Sequence, residues 1–358
     1  MTEQQLYALA YGFELSGKIT EIRPFGEGHI NSTFLVVTSE NRYILQKINN
    51  YVFKDVDALM NNIDLVTKFI RNKGKESIEI IPTKDGKLYQ EFEGEYYRVY
   101  VFVKDTVCYQ KVENLELARS AGASFGELHY LLNDFPVEKI VEVIPNFHNT
   151  EKRFLDFVDA FAKGSKEQKE FAAEEIEYLF NHEYTYGTIN QALKKGEVKV
   201  RVTHNDTKIN NILFDKYTGE CRCVIDLDTV MPGSVLFDIG DAFRGMFTGE
   251  NEDNPDLSLQ KVDFDIYKAY IKAYLGKMKN ELTTKEIELI PFSIYLMTIE
   301  CGMRFLEDYL RGNVYFATTY KEHNLVRART QIALADDVLR NLDKLNKMTE
   351  DIINELSK

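Results

Sequence analysis

Residues 201–215, RVTHNDTKINNILFD, bring together side chains that could carry out a reaction. Asp206 is a carboxylate that could take a proton from a hydroxyl group, and Asn211 offers an amide oxygen that could bind a hard metal ion. Because Asn and Asp are also common in turns, the segment is either a solvated polar turn or a reaction centre.

The spacing favours a reaction centre. His204, Asp206 and Asn211 form H-x-D-x-x-x-x-N, the spacing of the protein-kinase catalytic loop, in which the Asp accepts the nucleophile's proton and the Asn holds magnesium. Further along, VIDLD is an apolar strand end that carries Asp226 and Asp228. The intervening ILFDKYTGECRCVI predicts a hairpin that returns Asp226 to the side of Asn211. One oxygen from each would suit Mg²⁺, which takes its other ligands from phosphates and water.

The elements before this segment are predicted to form a small antiparallel sheet with one helix. KITEIRPFGEGHINSTFLVVTSENRYILQKI alternates apolar and polar residues around turns, as β-strands do. DVDALMNNIDLVTKFIRNKG changes to helical periodicity, with Leu59, Ile63, Val66 and Ile70 on one stripe and Gly74 as a stop. Strands return in IEIIPTKDGKLYQEFEGEYYRVYVFV.

After residue 104 the pattern is mostly helical. The stretch NLELARSAGASFGELHYLLNDF is amphipathic, charged helical stretches follow over about 151–195, and helices resume from about residue 258. FSIYLMTIECGMRFLEDYL is the most apolar stretch, and its polar residues Glu300 and Arg304 favour a buried core helix over a membrane span. The pattern therefore predicts a lobe over 1–103, a boundary near Val103, and a larger helical lobe over 104–358.

The composition of the chain limits the classes of protein and of binding partner that are possible. The chain has 358 residues, 44% of them hydrophobic and 28% charged, which is typical of a globular protein with a sizeable core. The formal charge of −13 argues against a nucleic-acid or anionic-membrane partner. The four cysteines show neither a zinc spacing nor a C-x-x-C pair, so we expect free thiols. The first residues lack a basic start and an apolar run, and we expect a cytoplasmic protein.

The motifs THNDTKINNILFD, VIDLD and FDIGD together resemble those of the aminoglycoside phosphotransferase and choline kinase superfamily. The resemblance implies an α+β, bilobal, protein-kinase-like fold, in which 1–103 binds the nucleotide and 104–358 holds the catalytic and substrate-binding residues. Within the superfamily, PFGEGHINSTFLV, RYILQ, IDLDTVMPGSVLFDIGD, ECGMRFLEDYL, VYFAT and EHNLVRARTQI resemble the N-acetylhexosamine 1-kinases. These enzymes transfer the γ-phosphate of ATP to the anomeric (C1) hydroxyl of the sugar.

By this resemblance Asp206 is the catalytic base, and Lys208 touches the transferred phosphate. Asn211 and Asp226 hold Mg²⁺, for which Mn²⁺ could substitute, and ATP is the phosphate donor. Asp238, in LFDIGD, braces the catalytic loop and has a structural role.

The nucleotide side departs from the kinase pattern. FGEGHIN offers only Gly26 and Gly28 in place of G-x-G-x-x-G, although exposed amides of a tight turn can still hold phosphate. Gln46 stands where the superfamily usually has a basic residue that holds phosphate. Lys47 follows it, but a neighbouring residue on a strand points to the opposite face. Either could contact the phosphates, and Val103 at the lobe boundary is also assigned to the nucleotide.

For the sugar, the resemblance assigns six contacts: His29, Asn31, Asn205, Asp228, Arg304 and Tyr315. Glu300 and Arg304 are placed to form an i,i+4 pair, and Tyr315 with Phe316 could form an aromatic wall. An uncharged polyol needs convergent hydrogen bonds of this kind, because it offers no charge for an ion pair. The substrates would be ATP and N-acetylglucosamine or N-acetylgalactosamine, and we expect a monomer.

Two alternatives stay open. The first is another kinase of the superfamily, for choline, homoserine, methylthioribose or an aminoglycoside, where a cationic acceptor would call for acidic residues or an aromatic cage. The second is a nucleotide-binding pseudokinase. The intact Asp206, Asn211 and Asp226 argue against a pseudokinase, and the missing N-lobe lysine, where Gln46 stands, keeps this alternative open.

Overall fold

The computed structural model describes residues 2–26, 33–247 and 252–358. Residue packing divides the chain into two compact units. The first comprises Met1–Val107, Asp134–Pro145 and Leu213–Pro232, and the second comprises Cys108–Asn133, Asn146–Ile212 and Gly233–Lys358. The first unit therefore extends beyond the predicted boundary at Val103 and takes in two later segments.

The strands of the described residues lie mostly in the first unit. In chain order they are β1 (Ile19–Pro24), β2 (Thr33–Thr38), β3 (Arg42–Ile48), β4 (Ile80–Ile81), β5 (Gln90–Phe92), β6 (Glu95–Val101), β7 (Thr106–Val107), β8 (Arg201–Thr203), β9 (Ile212–Asp215), β10 (Cys221–Val224) and β11 (Met231–Gly233).

Six of the described strands form one antiparallel sheet in the order β1-β2-β3-β6-β4, with β5 paired to β6. The apolar residues of its strands that alternate inward, such as Leu45 on β3 and Val99 on β6, are fully buried. The register of β3 on β6 places Gln46 opposite Arg98. A smaller sheet has the order β10-β9-β7. The predicted antiparallel N-terminal sheet is confirmed.

The helices in chain order are α1 (Glu3–Ala10), α2 (Val56–Asn72), α3 (Leu115–Leu132), α4 (Thr150–Lys163), α5 (Lys166–Phe171), α6 (Ala173–Asn181), α7 (Thr188–Lys194), α8 (Val235–Phe247), α9 (Phe264–Met278), α10 (Thr284–Leu310), α11 (His323–Arg340) and α12 (Leu342–Leu356). All but α1 and α2 lie in the second unit. The α+β class, with an antiparallel sheet followed by a helical part, is therefore confirmed.

Helix α2 forms as its apolar periodicity predicts. The stripe Leu59, Ile63, Val66 and Ile70 is buried. The Asp55 side chain accepts a hydrogen bond from the amide of Ala58 at 2.9 Å and so caps the first turn. Gly74 follows the helix with a φ of +76°, a conformation that glycine adopts without steric cost. Helix α1, by contrast, was not expected, since its short sequence EQQLYALA carries little periodic signal.

Close packing in the second unit brings α8 against α10. Gly240 on α8 has no side chain, and a Cβ atom there would lie 2.3 Å from the carbonyl oxygen of Ser293. A larger residue would push the two helices apart. This contact matters for the site, because α8 carries Asp238 and Asp241 while α10 carries Glu300 and Arg304.

Among the described residues one helix, α10, is long and apolar enough to cross a membrane, but 83% of its apolar window is buried within the protein. Its first turn is closed by a capping box between Thr283 and Glu286. The predicted core helix is therefore confirmed, and it is longer than its apolar stretch alone indicated. All four cysteines are free thiols, as expected.

Candidate active site

The catalytic loop is held by a buried carboxylate on α8. Asp238 accepts hydrogen bonds from the backbone amides of His204, at 2.8 Å, and Asn205, at 2.7 Å. The third partner is Nε2 of His129, 2.7 Å from Oδ2 of Asp238. The side chains of Asp238 and His129 are both fully buried, and a buried carboxylate needs such partners. This is the bracing role expected for Asp238.

A second carboxylate on the same face of α8 extends the brace. Asp241 lies three residues after Asp238, which places both on one side of the helix. The amide of Thr207 donates to Asp241 at 3.0 Å, and Arg244 donates to the other oxygen of Asp241 at 3.0 Å. Although burial acts to raise the pKa of Asp241, the charges of Arg244 and Lys208 lower it overall. The loop therefore rests on two buried carboxylates of one helix.

Within this loop the two predicted catalytic residues contact each other. Nζ of Lys208 lies 3.0 Å from Oδ1 of Asp206, and their side chains are 46% and 27% exposed. The carboxylate of Asp206 raises the pKa of Lys208 above its usual value, an effect that outweighs the cost of burying the ammonium. A base and a cation beside each other, both open to solvent, can serve a hydroxyl nucleophile and an anionic group together.

The amide of Asn211 is oriented to offer its oxygen. Its Nδ2 atom donates to the carbonyl oxygen of Asp206 at 2.8 Å. Since that carbonyl only accepts, the amide nitrogen must face it, which leaves Oδ1 of Asn211 as the remaining donor atom for a cation. Asn211 is buried. This arrangement fits a magnesium ligand.

In the first unit, Asp226 has a left-handed backbone conformation with φ 58° and ψ 54°. Outside glycine such a conformation is uncommon, and functional sites are among the places where it persists. The carboxylate of Asp226 and the amide oxygen of Asn211 are both hard oxygen donors, as Mg²⁺ requires. Among the described residues no group of three or more His, Cys, Asp and Glu side chains could hold a metal ion. Asp226 and Asn211 therefore stay predicted magnesium ligands, and the other ligands of such an ion would come from a nucleotide and water.

Asp228 is buried against an arginine that the sequence did not single out. Nη1 of Arg98 lies 2.5 Å from Oδ1 of Asp228, and the two side chains are 1% and 6% exposed. Burial disfavours the guanidinium charge, but Asp228 and neighbouring groups raise the pKa of Arg98 overall. The sequence signal that could have identified Arg98 is its position between apolar residues in YYRVYVFV.

The two residues left open for the nucleotide have different surroundings. Gln46 accepts two hydrogen bonds from Arg98, at 2.7 and 3.1 Å. Lys47 forms an ion pair of 2.7 Å with Glu95, and both side chains are partly exposed. Val103 lines a cavity of about 440 Å³ in the first unit together with Phe102, but neither Gln46 nor Lys47 lines it. The structure thus does not bring the three residues to one cavity.

The glycine turn is described only in part. Gly26 has a φ of +79°, and no atom lies within 4 Å of the Cβ position there. Gly28, His29 and Asn31, which were assigned to the nucleotide and the sugar, lie outside the described residues.

The pair expected between Glu300 and Arg304 is replaced by other partners. Glu300 is fully buried, and its oxygens bind Nδ1 of His148, at 2.8 Å, and the hydroxyl of Thr150, at 2.5 Å. Burial acts to raise the pKa of Glu300, but the hydrogen bond and charge of His148 lower it overall. Nε2 of His148 lies 3.4 Å from the carbonyl oxygen of Asn205 in the catalytic loop. His148 was not identified from the sequence, because its partners Glu300 and Asn205 lie far from it along the chain and no motif around His148 indicates them.

Arg304 lies over two aromatic rings instead. Its guanidinium carbon is 5.8 Å from the ring centroid of Phe147 and 5.5 Å from that of Phe316. These distances are within the range of a cation–π contact. Phe316 belongs to a turn that Asp308 fixes by accepting the amides of Val314, Tyr315 and Phe316 at 2.9, 2.9 and 3.0 Å.

The remaining sugar candidates differ in exposure. Tyr315 is 56% exposed, and its ring lies 4.8 Å from that of Phe316 in an edge-on contact. Asn205 is buried, and its side chain bonds to the hydroxyl and carbonyl oxygens of Thr203 at 3.1 and 3.3 Å. The side chain of Asn205 thus helps to shape the loop, and its assigned sugar contact stays a prediction.

The braced loop carries Asp206, Lys208 and Asn211 close together, and this combination of side chains is typical of a phosphotransferase. Residues 21–271 match the model of the phosphotransferase enzyme family, and this segment covers more than half of the chain. The chain therefore belongs to this family and is a small-molecule kinase of the aminoglycoside phosphotransferase and choline kinase superfamily.

Several solved structures have a similar fold. An aminoglycoside phosphotransferase from Alicyclobacillus acidocaldarius is 13% identical, with a TM-score of 0.64 over 98% of this chain and 97% of that one. A choline kinase from Cryptosporidium parvum is 16% identical, with a TM-score of 0.56 over 96% and 94%. A spectinomycin phosphotransferase, in complex with ADP and spectinomycin, is 14% identical, with a TM-score of 0.57 over 95% and 99%. At these identities the similarity shows the fold alone.

Proposed function

We propose that the protein transfers the γ-phosphate of ATP to the anomeric hydroxyl of an N-acetylhexosamine. The observation that carries the choice of acceptor is the position of Arg304 over Phe147 and Phe316. Aromatic cages bind quaternary ammonium ligands such as choline. Here the chain's own guanidinium already lies over these two rings, and a second cation beside it would be repelled. A neutral sugar, whose hydroxyls accept hydrogen bonds from arginine, is favoured.

The sugar-side segments of the sequence support the same acceptor. ECGMRFLEDYL contains Arg304, and VYFAT contains Tyr315 and Phe316. Both segments resemble the N-acetylhexosamine 1-kinases. Asp228 and Asn205 are proposed to contribute further sugar contacts, as are His29 and Asn31.

ATP is the proposed donor, a choice that the ADP complex of the similar spectinomycin phosphotransferase supports. Asn211 and Asp226 would hold Mg²⁺, which would neutralise charge on the phosphates when bound. Asp206 orients the anomeric hydroxyl and takes up its proton late, as the bond to phosphorus forms. Lys208, now paired with Asp206, contacts the transferred phosphate. The formal charge of −13 supports the absence of nucleic-acid and anionic-membrane partners, and a cytoplasmic monomer stays part of the proposal.

The second candidate is a kinase for an amine. The similar choline kinase and aminoglycoside phosphotransferase are named for acceptors that carry cationic groups. This candidate needs carboxylates or free aromatic faces on the acceptor side, and Arg304 counts against it.

A coupled assay of ADP release separates the two candidates. With ATP and magnesium, the acceptors are N-acetylglucosamine, N-acetylgalactosamine, glucose, choline, homoserine and an aminoglycoside. We expect turnover with the N-acetylhexosamines and a product that mild acid hydrolyses, because a sugar 1-phosphate is acid-labile while a 6-phosphate is not. An acid-stable product, or turnover confined to cationic acceptors, would refute the proposal.

A further inference from the structure

A buried charge network occupies the place where a kinase lysine is expected. In protein kinases, a lysine on the third strand pairs with a glutamate of the helix that follows it. Here β3 carries Gln46, and the α2 residue Met60 contacts Arg98 through its sulfur, which lies 3.9 Å from Nη1 of Arg98. The positive charge comes from Arg98 on the adjacent strand, and its counter-charge comes from Asp228.

The direction of the hydrogen bonds fixes the orientation of Gln46. Nε and Nη2 of Arg98 lie 3.1 and 2.7 Å from Oε1 of Gln46. A guanidinium can only donate hydrogen bonds, so the oxygen of the amide must face it and the amide nitrogen must point away. Among the described residues none accepts a hydrogen bond from Nε2 of Gln46, and its side chain is partly exposed. Two N–H donors are therefore available.

Lys47 is less suited to the same task. It pairs with Glu95 at 2.7 Å, and on a strand it points to the face opposite that of Gln46. Using Lys47 for a phosphate would require the strand to twist locally and the ion pair to break. Gln46 needs neither change.

Charge balance explains why Arg98 can hold this position. The guanidinium is 1% exposed, and a buried charge is costly unless it is paired. Asp228 supplies the opposite charge at 2.5 Å, and the ring of Tyr100 lies 5.1 Å away. Because Gln46 and Asp228 already engage the guanidinium of Arg98, we expect Arg98 to orient these two side chains rather than to contact the nucleotide itself.

We propose that Gln46 binds a nucleotide phosphate through its Nε2 amide and that Arg98 is the positioning residue that fixes this amide. The inference rests on the proposed use of a nucleotide donor and is independent of the acceptor. A neutral donor thus replaces the usual lysine, and the buried cation acts through it.

Calorimetric titration with ADP and magnesium, without an acceptor, tests Gln46 directly. In Gln46→Glu the new carboxylate can still pair with Arg98, so the fold is retained, but no N–H donor remains. We expect the Kd of ADP to rise by about 10- to 100-fold, the size of a lost hydrogen bond to a charged group. Gln4→Glu, the same substitution on an exposed residue of the first unit, is the control. The proposal would be overturned if the Kd of ADP rose in Lys47→Met but did not change in Gln46→Glu.

A second comparison tests the role of Arg98. Because Arg98→Met alone would leave Asp228 as an unpaired buried charge, it is made together with Asp228→Asn and compared with Asp228→Asn alone. We expect the Kd of ADP to rise, and expect no further rise when Gln46→Glu is added, because both changes act through one amide. An unchanged Kd in the folded variant, or fully additive effects, would contradict the positioning role. If turnover with sugars fails while these binding results hold, only the proposed acceptor is wrong.

Discussion

Nζ of Lys208 lies 3.0 Å from Oδ1 of Asp206, so that the proposed base and the proposed phosphate ligand form an ion pair. The pair is partly exposed, and its lysine has a raised pKa, which keeps the ammonium charged near neutral pH. Transfer then requires Lys208 to exchange this carboxylate for a phosphate, which frees Asp206 for the hydroxyl.

Asp206→Asn tests the base. The variant keeps the size of the side chain and most of its hydrogen bonding but cannot take a proton, so kcat should fall by about 10²- to 10⁴-fold. The Kd of ADP, measured by calorimetry, should change little. The rival account places the base at Asp228, and it predicts a near-normal kcat for Asp206→Asn and a loss for Asp228→Asn. Both variants are measured at saturating ATP and sugar, with folding checked by thermal melting.

Asp238→Ala tests the brace of the catalytic loop. It removes the acceptor of two buried backbone amides and of His129, so we expect the free energy of unfolding to fall by about 3–5 kcal/mol. Urea denaturation measures the loss. The control is Asp263→Ala, which removes only the N-cap of α9 and should cost about 1 kcal/mol. Equal losses in the two variants would show that Asp238 does not brace the loop.

Asp226→Ala tests the metal ligand. Turnover should stop when EDTA removes the metal and return with Mg²⁺ or Mn²⁺, since both prefer oxygen ligands. In the variant, transfer should be abolished, and magnesium should no longer strengthen the binding of ADP in calorimetry. Asp85→Ala, which changes an exposed carboxylate of the first unit, should retain the magnesium effect. Full activity of Asp226→Ala would remove this residue from the site.

Arg304→Met tests the acceptor side. Loss of a charged donor to a sugar hydroxyl should raise the KM of the N-acetylhexosamine by about 10- to 100-fold. The KM of ATP should change much less. Arg311→Met is the matched control, because Arg311 is the C-cap residue of the same helix and its charge is paired with Glu307, at 3.0 Å, and with Asp159, at 3.2 Å. A similar rise in the KM of both substrates for Arg304→Met would count against a sugar contact.

Glu300→Gln tests the buried pair with His148 through its pH dependence. The pKa of Glu300 is lowered from about 4.5, so its ionised form stabilises the folded state above that pH, and this contribution is lost as the pH falls through the folded-state pKa. Compared with Glu300→Gln, the wild type should be more stable at neutral pH, and the difference should shrink below about pH 4.5. Thermal melting across this range measures it.

The control for this experiment is Glu288→Gln on the same helix, because the carboxylate of Glu288 is exposed and pairs with Lys285 at 3.1 Å. Its difference from the wild type should be small at every pH, since exposed pairs contribute little. A constant difference between wild type and Glu300→Gln down to acidic pH would contradict the lowered pKa.

The sequence by itself determined α2, the N-terminal strands and the kinase class of the protein. Periodicity placed α2 and its buried stripe, alternation placed the N-terminal strands, and the spacing of Asp206 and Asn211 indicated a kinase. These features are local: a hydrophobic period or a motif is complete within a short stretch of chain. The family match over residues 21–271 agrees with them.

Only the tertiary structure decided the partners. Arg98 meets Gln46 because β3 and β6 pair in one register, and a shift of one residue would turn Arg98 to the other face. Likewise, Glu300 pairs with His148, which lies 152 residues away in the sequence, rather than with Arg304 on its own helix. A buried carboxylate needs hydrogen-bond donors, and tertiary packing decides which distant segment of the chain supplies them. A local sequence pattern contains no information about that segment.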